Sequence, residues 1–207
     1  MTPSPQLKAQ VLRTAEALIY AHGVHAVGMD TIVRLSGVPR RSIYKHFGSK
    51  EGLVEQVLQQ RHLRWMAWLD DEVRRQTSDP RERLLVMFDV LYRWFTAEDF
   101  HGCAFLNVTG QYADPGEAAR VIAREHKAAL LGWLESACAA AGLWPASGWA
   151  RRFLVLVDGA IAVASVTGGP GAALDAKDMA AQLLRCAGPA TCLPPSPPSS
   201  PSPETEP

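Results

Sequence analysis

The stretch Asp30–Leu53, DTIVRLSGVPRRSIYKHFGSKEGL, decides how the rest of the chain is read. It predicts two short helices around a tight turn, followed by the start of a longer helix. Ile32, Val33 and Leu35 supply the apolar side of the first, and Gly37 closes it by tolerating positive φ. Pro39 is expected in the first turn of the second, where a missing N–H costs little. That second helix, Arg40 to Phe47, carries Ile43 and Phe47 four residues apart on one side. Arg40, Arg41, Tyr44, Lys45 and His46 occupy the remainder. One face suits docking on a core, and the other, basic and aromatic, suits a DNA major groove. Gly48 stops the helix, Ser49 is placed to cap the next, and Lys50 stands in its first turn beside Glu51.

This pattern resembles the DNA-binding domain of the TetR family of transcriptional regulators. The residues that carry the resemblance are Asp30, Ile32, Ser36-Gly37-Val38, Ile43-Tyr44, His46-Phe47 and Ser49-Lys50-Glu51-Gly52-Leu53, with Ala15 to Gly23 similar to the family's first helix. A bare helix-turn-helix is a weak signal. The run Tyr-x-x-Phe-x-x-Lys-x-x-Leu directly after it is far more specific, and the match covers roughly the first 65 residues. Val33 stands where the family usually has alanine and Pro39 where a Ser or Thr cap is common, both leaving the recognition helix intact.

Charge agrees with position. The chain's 207 residues have a formal net charge of zero, but residues 1–64 hold nine Lys/Arg against four Asp/Glu, a net of +5, and residues 65–207 hold twelve against seventeen, a net of −5. The basic part coincides with the helix-turn-helix. Cys103, Cys138, Cys186 and Cys192 form no CxxC pair, which leaves no cysteine metal site and no disulfide framework, and reads as reduced thiols. The opening MTPSPQLKAQ has no apolar signal core and no run is long enough for a membrane span, so a cytoplasmic protein is expected.

Periodicity predicts an all-α chain of about nine helices, in three parts: a helix-turn-helix domain over 5–65, a regulatory domain over 66–187, and a Pro/Ser-rich tail over 188–207 expected to be disordered. Asp30 or Met29 is the expected cap of the second helix, and Ser147 that of a helix running from Gly148 to Thr167. A long helix from Lys50 to about Arg75 would join the two domains.

What the resemblance implies is a homodimer whose two recognition helices enter successive major grooves of a palindromic operator, released by an unknown small-molecule effector. The expected DNA contacts are Thr31, Arg40, Arg41, Ser42, Tyr44, Lys45, His46 and Lys50. In the acidic second half, aromatic and isolated polar residues suggest a pocket of Phe88, Tyr92, Cys103, Asn107, Gln111, Tyr112, His126 and Trp133. Cys103, after Gly102 near a helix start, is a candidate redox sensor. The last two helices, 148–187, rich in small and apolar residues, are the expected dimer interface. No cofactor or metal is expected. The rival readings are an architectural DNA-binding protein without an effector and an all-α enzyme. The enzyme lacks support, because no HExxH, GxSxG or P-loop occurs.

Overall fold

A computed structural model describes residues 5–187, and the tail over 188–207 lies outside them. Nine helices and no strand occupy the described residues: α1 (Pro5–His22), α2 (Met29–Ser36), α3 (Arg40–Phe47), α4 (Lys50–Gln76), α5 (Pro80–Phe95), α6 (Ala104–Thr109), α7 (Ala118–Ala140), α8 (Ala146–Thr167) and α9 (Gly171–Cys186). None of the described helices is long and apolar enough to cross a membrane, and no group of three His, Cys, Asp or Glu among those residues could hold a metal ion.

α1, α2 and α3 pack on one another, and α1 and α3 also pack on α4. Val11, Leu12, Ala15, Ile32, Val38, Ile43, Leu53 and Val57 are buried there. Local chemistry sets the turns. Gly37 ends α2 in the left-handed region at φ 66, and its N–H donates to the Val33 carbonyl. Ser49 caps α4 by accepting the Gly52 N–H at 3.1 Å, and Asp79 caps α5 by accepting the N–H groups of Arg81 and Glu82 at 2.8 Å. Gly52 is required sterically, since a Cβ there would lie 2.2 Å from the Phe47 carbonyl oxygen.

Three expected helix starts are corrected. α2 starts after Gly28, which has no side chain to cap with, and Asp30 instead pairs with Arg40 of α3. Pro39 is the residue before α3, in extended backbone at φ −56 and ψ 138, not its first helical residue. α8 begins two residues early after Pro145, which leaves Ser147 inside its first turn.

α4 runs unbroken through position 65 and packs on α1, α5 and α7, so it belongs to both the N-terminal bundle and the larger C-terminal one. In that larger bundle α8 buries Phe153, Val157, Ala160, Ile161 and Ala164 against α7 and α9. Its other side is open: Val155, Val163 and Val166 are 70%, 51% and 87% exposed, and on α9 Leu174 and Met179 are also exposed. An apolar stripe of that extent on a helix pair is unusual for a surface facing only water.

Candidate nucleic-acid interface and effector cavity

Ile43 and Phe47 sink α3 into the N-terminal bundle, which turns Arg40, Arg41, Tyr44 and Lys45 outward; all four are exposed. Two guanidiniums, an ammonium and a phenol on one two-turn helix can bond both phosphate oxygens and base edges. Arg40 is held by Asp30, so a base contact from Arg40 first exchanges that carboxylate for DNA. Tyr44 stands clear of the core. Thr31 and Ser42 are half-buried in the first turns of α2 and α3. Lys50 is half-buried at the first position of α4.

His46 departs from expectation. Its Nε2 is buried and unpartnered and its ring is tilted against Phe47, 5.8 Å between centroids, so it does not stand on the exposed face with Lys45. The first turn of α4 is also partly self-occupied as an anion site. Gly52 N–H bonds Ser49 Oγ, and Glu51 has its carboxyl held below the usual range by its own backbone N–H and then by the Ser49 hydroxyl.

The eight expected pocket residues separate into four groups. Phe88 is fully buried and packs on Phe153 at 6.5 Å between α5 and α8, so it is core. Tyr92 packs half-buried on the core, and Trp133 donates its Nε1–H to Asp70 at 2.9 Å, tying α7 to α4. Cys103 and His126 line one cavity. Asn107, Gln111 and Tyr112 lie where the segment around α6 meets the N-terminal bundle.

That meeting is polar and specific. Tyr20 of α1 donates its hydroxyl to the Gly102 carbonyl at 2.7 Å and accepts the His101 N–H at 3.0 Å. Burial raises the pKa of Tyr20 more than these partners lower it, so the phenol keeps its proton. At the other end of α6, Gln111 Oε1 accepts the Val24 N–H at 2.7 Å and the Gln111 carbonyl lies 2.8 Å from His25 Nε2. Tyr112 stands beside His25, its ring centroid 5.4 Å away. Both ends of the six-residue α6 are therefore fastened to the DNA-facing bundle. Gly102, at φ 79, fits between Tyr20 and α8, where a Cβ would come within 2.8 Å of Ser165 Cβ.

The cavity beneath α6 is lined by Arg61 and Trp65 of α4, Trp94 of α5, Cys103 and Phe105, His126 and Lys127 of α7, and Ile161 of α8. It is small, with about 10 Å³ free, roughly the space of a single water. His126 is 2% exposed, stacks on Phe105 at 3.7 Å and meets His62 Nδ1 to Nδ1 at 3.0 Å. Burial, then the neighbouring Lys127, His62 and Arg61, pushes its pKa down to about 3, so it is uncharged at neutral pH. Cys103 is the residue before α6 and is buried with the aromatics. Arg61, His62, Trp65 and Trp94 were missed by sequence reasoning. On α4, and for Trp94 on α5, they read as ordinary amphipathic spacing, and only the packing of α6 and α7 marks that side as a cavity wall.

Residues 11–57 match the family model described as "Bacterial regulatory proteins, tetR family". Over 119 residues the chain is 31% identical to the HTH-type transcriptional activator FasR of Mycolicibacterium smegmatis, covering 58% of this chain and 53% of FasR, so the match spans about half of that relative's length. The crystal structure of SCO4454, a TetR-family transcriptional regulator from Streptomyces coelicolor, superposes with a TM-score of 0.82 at 25% identity over 88% of this chain and 96% of that one. A putative TetR-type regulator, sav143 of Streptomyces avermitilis, gives 0.76 at 29% identity over 87% and 97%.

Proposed function

We propose that the chain is a bacterial transcriptional regulator of the TetR family that binds a palindromic operator as a homodimer and is released from it by a small-molecule effector. The observation that carries this reading is the exposed Arg40–Arg41–Tyr44–Lys45 face of a helix whose opposite side is locked into a core. The proposed DNA contacts are these four with Thr31, Ser42 and Lys50. We place the DNA-binding domain at 5–65 and the regulatory domain at 66–187, with α4 shared between them.

The exposed stripe of Val155, Val163, Val166, Leu174 and Met179 supports a two-fold interface in which α8 and α9 meet their copies. Such a two-fold sets half-site centres about one helical turn apart. Repression follows where the operator overlaps a promoter; FasR is named an activator, which is the outcome for a site placed upstream. The place of action would be the cytoplasm, with the DNA.

The test is selection of bound sequences from random duplex DNA, then titration of the winner at several salt concentrations. A palindrome bound by two chains, with affinity falling steeply as salt rises, is the expected result. Failure to enrich any sequence, with weak binding even at low salt, refutes the proposal.

A further inference from the structure

We infer that the cavity beneath α6 takes an uncharged, planar aromatic molecule carrying one hydrogen-bond acceptor, and that its entry is felt by the DNA-facing bundle through the two fastened ends of α6. The inference rests on the reading of the chain as an effector-responsive regulator.

Its chemistry follows from what the walls offer and what they lack. Trp65, Trp94 and Phe105 line it, with Trp65 and Trp94 already packed edge to face at 5.8 Å, so a flat ring entering beside them extends an existing aromatic cluster. Both cations at the rim are already spoken for: Arg61 pairs with Glu16 at 3.0 Å and lies over the Tyr20 ring, while Lys127 pairs with Asp158. His126 is uncharged. A carboxylate or ammonium entering here would lose its hydration without gaining a free counter-charge. One buried donor at this cavity is left without a partner. The Nε1–H of Trp65 is buried and has no partner among the described residues, and an orphan donor in such a place is met by an acceptor on whatever occupies the cavity.

Size supplies the coupling. The free space is far below that of a ring system, so an occupant has to displace a wall. α4, α5, α7 and α8 are helices of 16 to 27 residues packed on several neighbours, whereas α6 has six residues and packs mainly on α7. α6 is the wall that yields. Its displacement pulls on Tyr20 through Gly102 and His101, and on Val24 and His25 through Gln111.

The test uses the full chain and four ring probes of matched shape: quinoline, naphthalene, 2-naphthoate and 1-naphthylmethylammonium, titrated by calorimetry without DNA. Quinoline is expected to saturate one site per chain, about tenfold tighter than naphthalene, because only quinoline offers an acceptor. The two charged probes are expected to bind more weakly than naphthalene. Trp65→Phe should abolish the quinoline preference while naphthalene still binds, and Trp94→Phe should retain the preference. Equal binding of quinoline and naphthalene, tighter binding of either charged probe, or no saturable binding overturns the assignment. Quinoline is then added to the protein on its selected operator. Wild type should lose affinity, and Tyr20→Phe/Gln111→Ala, still binding quinoline, should lose at least fivefold less. An equal loss overturns the coupling. A chain with the quinoline preference but no operator refutes the regulator reading alone.

Discussion

One buried side chain should make this protein less stable in acid. In the unfolded chain a histidine titrates near its ordinary 6.5, whereas His126 in the native bundle is held down to about 3 by burial and by Lys127, His62 and Arg61. As pH falls below 6.5 the unfolded state takes up a proton that the native state refuses. The stabilisation is therefore complete above about 6.5 and is lost as pH falls toward 3. Between pH 7 and pH 5 the loss is about 2 kcal/mol, a substantial part of the ~5–15 kcal/mol that holds a domain together. Other groups add to the pH dependence of the whole chain, so the measurement is a difference. Urea unfolding of wild type and His126→Gln is run at pH 7 and pH 5, and the wild type should lose about 2 kcal/mol more than the variant. Glutamine keeps a polar group opposite His62 Nδ1, the partner at 3.0 Å, and carries no titrating proton. His62→Gln provides the control from the other side of the pair. Parallel losses in wild type and His126→Gln would refute the account of an uncharged, buried imidazole.

Three further outcomes are expected. Arg41→Ala, which removes an exposed cation with no intramolecular ion pair among the described residues, should weaken operator binding and, if the contact is to phosphate, flatten the salt slope by about 0.9; fluorescence anisotropy at several salt concentrations reads both. Val163→Asp/Val166→Asp should yield a folded monomer by light scattering after size exclusion, since both side chains are exposed in the single chain and charge there costs nothing until two copies meet. Gly52→Ala should lower stability by ~2–4 kcal/mol in urea unfolding, because the Phe47 carbonyl 2.2 Å from the added carbon is backbone and cannot swing aside.

The all-α class, the helix-turn-helix and the outward basic face of α3 were legible in the chain itself. Each rests on short-range rules: an i, i+4 apolar pair, glycine where φ turns positive, and Ser49 three residues before Gly52. The cavity was not legible. Phe88 and His126 are both buried residues on amphipathic helices, and no local pattern says that Phe88 meets Phe153 in solid core while His126 meets His62 beside a void. Gln111 and Asn107 read as polar residues awaiting a ligand; both line a second small cavity beside Tyr20 and Arg61, where Gln111 also bonds Val24, 87 positions away, and Asn107 donates to the His101 carbonyl. The uncharged state of His126, the orphan Trp65 N–H and the fastening of α6 at both ends depend on contacts among residues tens of positions apart. Hydrophobic periodicity states which side of a helix goes inward, and tertiary packing alone decides what that side meets there.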